Sequence, residues 1–135
     1  MEVTAQYRSG VAFEVAARDH RIVCDQPKDN SGADAGMTPP ELLLASLATC
    51  AGYYALEYLR TRGLPSDGLG VRVVASKALK PARLADLKIE LTLPEVEERH
   101  VAGISRAVKA CLIHNTLLSA PSIETVVLTT SSVLV

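Results

Sequence analysis

Apolar and polar positions alternate from the start of the chain. Val3, Ala5 and Tyr7 stand against Glu2, Thr4 and Gln6; after Ser9-Gly10, Val11, Phe13 and Val15 stand against Glu14. With a turn at Arg18-Asp19 and the short run Arg21 to Cys24, this period of two predicts a three-stranded meander. Asp25 to Met37 has no period and collects Pro, Asp, Asn, Ser and Gly, which predicts a loop whose length makes it a candidate rim of a site. The pattern changes at T-P-P-E: Thr38 can cap a helix, Pro39 fits its first position, and Glu41 reaches back three residues to complete a capping box. From Leu42 to Ala51 only Ser46 and Thr49 are polar, and a helix apolar on every side is expected to be buried. That run is ten residues long, against the roughly 20 a membrane span needs. Arg60 and Arg62 suit the negative end of the helix and Gly63 its left-handed stop, so it should run about 24 residues, or roughly 36 Å.

Beyond Gly63, the turn Leu64 to Gly68 leads into Leu69 to Ala78, and Pro81 to Arg83 leads into Ala85 to Leu93. In the second run Leu87, Ile89, Leu91 and Leu93 alternate with Lys88, Glu90 and Thr92, which predicts a hairpin with one buried face. After Pro94, Val101, Ile104, Val108 and Cys111 recur at helical spacing, so Cys111 is expected on the inner face of a second helix that starts near Glu95. His114-Asn115-Thr116 interrupts that pattern, Leu117 and Leu118 add a short turn, and Pro121 leads into a last strand, Ile123 to Thr129. The order βββ-α-ββ-α-β predicts an α+β domain of mainly antiparallel sheet wrapped on a long buried central helix, with residues 1–135 forming one domain.

Composition sharpens this picture at a few points. The chain is 48% hydrophobic, with five aromatic residues and no Trp, so the core must be aliphatic, and a helix apolar all round points to a partner subunit. The net charge of −1 comes from interspersed signs without a basic stripe, which argues against nucleic acid. The first ten residues lack the basic and apolar regions of a signal peptide, so the expected location is the cytoplasm. Three cysteines, at 24, 50 and 111, are an odd number without close spacing, which argues against a secreted disulfide scaffold and a zinc ribbon. Cys111 and His114 make a lone C-x-x-H, short of the four ligands of a structural zinc, and no metal or cofactor is expected. In the central helix, Ser46, Cys50, Tyr53, Tyr54 and Glu57 share roughly one side. On the helix alone Cys50 reads first as a small apolar filler, as free cysteines usually do, and only second as a reactive thiol.

The stretches PPELLLASLATC, ending at Cys50, and CLIHNTL, beginning at Cys111, together resemble the OsmC/Ohr family of small thiol-dependent peroxidases, especially its YhfA-like branch. The likeness extends to the whole order of elements. It implies an intertwined homodimer with its central helices buried between two sheets and its sites at the subunit interface. It also implies that Cys50 attacks an organic hydroperoxide, that the resulting sulfenic acid condenses with Cys111 to a disulfide, and that an external dithiol, possibly lipoyl-type, reduces it. Such chemistry fits a thiolate nucleophile with a neighbouring thiol to trap the first oxidation product. Peroxidase branches pair the attacking cysteine with an N-terminal arginine, for which Arg18 and Arg21 are the candidates, and with a glutamate ten positions before it. Pro40 occupies that glutamate's slot, and Glu41, one position later, is a candidate for both cap and catalytic carboxylate. A helix dipole cannot activate Cys50, about twelve residues and some 18 Å from the cap. Two other readings remain. One is a binding or stress-associated protein that keeps the fold without efficient turnover; the other is a hydrolase or transferase with Cys50 as nucleophile and His114 as base, which lacks an orienting carboxylate and an oxyanion hole.

Overall fold

The computed structural model describes residues 1–130. Strands β1 (Thr4–Ser9), β2 (Ala12–Ala17) and β3 (His20–Cys24) form the expected antiparallel meander. Arg18, at φ 53°, makes the β2–β3 turn with Asp19. The register sets Tyr7 opposite Phe13 opposite Cys24, and Ala5 opposite Val15 opposite Ile22, so these six share one face. Tyr7 and Phe13 meet edge to face at 5.9 Å. The face nevertheless has little cover: β1 is exposed along its whole length, Phe13 is 42% exposed and Ile22 47%.

Between β3 and the central helix the chain is pinned rather than loose. Asp25 is 2% exposed, and its carboxylate accepts backbone N–H bonds from Gln26 at 2.8 Å, Ala33 at 3.1 Å and Ala35 at 3.1 Å. Those donors, Ala35 first and then Gln26, hold the carboxyl below its ordinary range against the opposing effect of burial. The Asp25 N–H bonds to the Met37 carbonyl at 3.3 Å and closes the base of the loop.

Helix α1 (Pro39–Thr61) begins and ends where the sequence indicates. Thr38 Oγ1 accepts from the Glu41 N–H at 3.4 Å and donates to the Glu41 carboxylate at 2.8 Å, so Glu41 holds the capping hydroxyl itself. At the other end Leu64 N–H reaches the Leu59 carbonyl and Gly63 N–H the Arg60 carbonyl, with Gly63 at φ 63°, a Schellman stop. All-round burial is not what a single chain provides. Leu47, Ala51, Ala55 and Leu59, spaced four apart, are buried, whereas Leu43 is 40% and Tyr53 59% exposed. One chain has enough aliphatic surface to cover one side of this helix, and the other side stays open.

Strands β4 (Gly70–Ala78) and β5 (Arg83–Thr92) pair with Val71 opposite Leu91 and Val73 opposite Ile89. Val71, Ile89 and Leu91 pack on Ala51, Ala55 and Leu59 together with Ile104 and Val108 from α2 (Val101–Lys109), and this is the core. By length and composition α1 could cross a membrane; packed against α2 and the hairpin, it is the core helix of the domain.

The C-terminal third departs from expectation in two places. The second helix does not begin near Glu95 and does not carry Cys111: a 3-10 turn, Glu98–His100, precedes α2, which ends at Lys109, and Cys111, at ψ 134°, is the N-cap of a separate helix α3 (Leu112–Leu118). His114-Asn115-Thr116, expected as an interruption, lies inside α3. The bend at Ala110-Cys111 has no Gly or Pro to announce it, and it turns Cys111 inward. The segment expected as the last strand, Ile123–Thr129, has no ladder partner, with Ile123 and Leu128 each 88% exposed. Its β-forming residues meet no free strand edge among the described residues.

Candidate functional site

The bend that ends α2 delivers Cys111 to the middle of α1. Cys50 and Cys111 meet sulfur to sulfur across a sequence separation of 61, with Cα atoms 5.9 Å apart, within the range a disulfide spans. The two are not equivalent. Cys111 is 0% exposed, whereas Cys50, on the edge of the α1 stripe, is half-buried. Cys24 is free, half-buried and on the meander.

Around Cys50 the polar groups that share its helix side are largely committed to the helix. Ser46 donates to the Leu43 carbonyl at 2.8 Å and Thr49 to that of Ala45 at 2.8 Å, so neither hydroxyl is directed at the thiol. Tyr53 and Tyr54 stack edge to face at 5.6 Å, and Glu57, two turns beyond Cys50, is exposed. A mostly apolar cleft of about 530 Å³, lined by neither cysteine, has Leu47, Ile89, Leu91, Val108, His114 and Leu117 in its walls. Leu47 lies one turn before Ala51, Val108 just before the bend, and His114 one turn into α3, so β5 and all three helices wall the cleft.

Of the five residues expected from the sequence, a single chain brings Cys50 and Cys111 together and leaves the other three apart. Glu41 is nine residues before Cys50 on α1, about 13 Å along the axis, and bonded to Thr38. Arg18 sits in the β2–β3 turn, and Arg21 pairs with Glu14 at 3.1 Å on the exposed meander, which among the described residues packs extensively on no other element. Sequence reasoning missed Asp25, although an Asp opening a Ser/Gly/Ala-rich loop is a recognisable signal for side-chain capture of backbone N–H groups. It also missed the Tyr58 hydroxyl, 3.1 Å from His100 Nδ1, which ties α1 to the start of α2 with the Arg62 guanidinium 3.7 Å over the same ring. No pattern along the chain foreshadows that contact.

A meander, a core helix backed by a hairpin and two facing cysteines define a class of small α+β proteins with a paired thiol site. The family model for OsmC-like protein matches residues 31–126, and the chain belongs to that family. Among solved structures, an osmotic stress induced and detoxification response protein from Psychrobacter arcticus 273-4 superposes with a TM-score of 0.77 at 20% identity, covering 84% of this chain and 85% of that one. An OsmC-like protein from Mycoplasma pneumoniae gives 0.75 at 22%, covering 88% and 87%. The organic hydroperoxide resistance protein OsmC of Legionella pneumophila gives 0.63 at 15%, covering 87% and 89%. At these identities the likeness is one of fold. No curated protein sequence matches the chain.

Proposed function

We propose that this protein is a thiol-dependent reductase of organic hydroperoxides that works as a cytoplasmic homodimer. The observation that carries the proposal is the meeting of Cys50 and Cys111 across 61 positions in a member of the OsmC-like family. The Cys50 thiolate attacks the outer peroxide oxygen, the O–O bond breaks, and the alcohol departs once protonated, leaving a sulfenic acid. Cys111 then displaces that oxygen as water and closes the disulfide, and an external dithiol of the lipoyl type reopens it. Their burial suits the division of labour: half-buried Cys50 is reachable by a substrate, while fully buried Cys111 meets only Cys50. The aliphatic cleft favours an alkyl substituent over hydrogen peroxide, at about 25 cal/mol per Å² of apolar surface covered. A second copy would cover both the open side of α1 and the apolar face of the meander, and could bring Arg18 or Arg21 to the neighbouring Cys50.

A second reading, a stress-associated binding protein of this fold without efficient turnover, is favoured by Pro40 in the glutamate slot, by the attachment of Glu41 to its cap and by the Arg21–Glu14 pair. Cysteine variants separate the two. Cys50→Ser should abolish consumption of cumene hydroperoxide in the presence of a dithiol, and Cys111→Ser should accumulate a dimedone-reactive sulfenic acid on Cys50 that excess peroxide drives to sulfinic acid. Wild-type protein whose thiols survive one equivalent of peroxide, or that oxidises only at Cys24, leaves the binding reading. Glu41→Gln should alter the thiol reactivity only slightly, because the amide can still accept the Thr38 hydroxyl; a loss of orders of magnitude would assign Glu41 to the chemistry.

A further inference from the structure

His114 poses a problem that its place three residues after Cys111 resolves. Its Nδ1 is shielded from water and has no hydrogen-bond partner, and among the described residues it is the one buried side-chain nitrogen or oxygen in that condition. Buried polar atoms are nearly always paired, so an orphan calls for an explanation. The residue as a whole is half-buried and lines the cleft. It is the third residue of α3, whose N-cap is Cys111, and side chains at an N-cap and at the third helical position are neighbours. Cys111 itself is 0% exposed, so a thiolate formed there finds no water to stabilise it and needs a proton from the protein. Histidine is the side chain suited to take and release a proton near neutrality. The charged groups that face the same cleft are Lys88 from β5, tied to Glu90 at 2.9 Å, and Lys109 from α2; Ser105 of α2 adds a hydroxyl, and no carboxylate among the described residues lines it.

We infer that His114 carries the proton to and from Cys111 as the Cys50–Cys111 bond closes and opens. On closure the imidazole takes the Cys111 proton, the sulfur forms a bond to the Cys50 sulfur, the sulfur–oxygen bond of the sulfenic acid breaks, and the departing oxygen leaves as water with that proton. On opening, one thiolate of an external dithiol attacks the Cys50 sulfur, the electron pair of the broken bond stays on Cys111, and the imidazolium protonates it. The second thiol of the reductant then displaces Cys50 and the reductant departs as its own disulfide, so two electrons and two protons have entered the protein. The closure step rests on the proposed function; the opening step needs only the cysteine pair.

The test therefore uses full-length protein whose cysteine pair has been closed with diamide, so that it does not depend on hydroperoxide turnover. Reduction by dithiothreitol is followed by quenching, alkylation and intact mass for wild type, His114→Ala and His114→Asn, from about pH 6 to about pH 9 across the imidazole range. The expected result is that both variants open roughly tenfold to a hundredfold more slowly at the acid end, that the difference closes at the alkaline end where an imidazole has no proton to give, and that free imidazole restores His114→Ala. A ratio constant with pH, no slowing, failure of rescue, or loss of folding in both variants would overturn the inference and leave the ring a packing element of α3. Wild type that opens normally under this protocol but does not consume hydroperoxide would overturn the proposed function alone.

Discussion

The two halves of the chain solve the burial problem differently. From α1 onward, Ala51, Ala55, Leu59, Ile104 and Val108 enclose one another, with Val71, Ile89 and Leu91 of the hairpin laid over them, and the result is a core in which several side chains have no exposed surface. The meander has the same alternating chemistry and no such core: Tyr7 is 63% exposed and Phe13 42%, although both lie on its apolar face. Alternation therefore marks a face that is meant to be covered without saying what covers it. The helix half is closed by its own chain on one side of α1, and the meander is formed by its own hydrogen bonds while its apolar face stays exposed.

Leu59→Ala should have the largest effect on this contrast. Leu59 is 0% exposed in the middle of the core, so its truncation should cost about 2–5 kcal/mol in urea unfolding. A loss well under about 1 kcal/mol would dissolve the distinction between the halves. Phe13→Asp is the matching change on the meander. If a second copy covers that face, a carboxylate in place of a ring worth about 1.5–3 kcal/mol of burial should weaken the dimer by about a hundredfold, and light scattering should show single-chain mass at concentrations where wild type is double. Wild type that is a stable monomer would show that the meander needs no cover. The smallest effect concerns the link between the halves, the loop held by Asp25. Because its folded pKa lies below the ordinary aspartate value of 3.8, the carboxylate's contribution is present in full above that value and is lost as the pH falls through the lower folded one. Asp25→Asn should remove that part of the acid dependence of thermal unfolding, and an unchanged profile would show that the loop is held by other bonds.

Much of the helix half was legible because its signals are local. The Thr38 cap, the Gly63 stop and the alternation from Leu87 to Leu93 each depend on a few adjacent residues, and each lies where it was read. The turn that positions Cys111 was not legible, since Ala110-Cys111 breaks the helix through packing and not through Gly or Pro, and the periodicity from Val101 to Cys111 fits one helix as well as two. The meeting of Cys50 with Cys111 followed from the family resemblance and from no period along the chain, because contact between positions 61 apart is a property of the fold. Ile123–Thr129 shows the converse failure. Its residue types favour a strand, but pairing also requires an edge, and edges belong to tertiary and quaternary structure.

The position of the cysteine pair also makes redox state a variable of chain entropy. A bond between Cys50 and Cys111 encloses the hairpin and α2 in a covalent loop of 61 residues' separation, and on the chain-entropy account closing a loop of that size removes about 4 kcal/mol of disorder from the unfolded ensemble. Nothing in the folded core needs to move for this to act. Oxidised and reduced molecules of the same shape would then stand at different distances from unfolding, and the opened form would be the one more exposed to proteases and to heat.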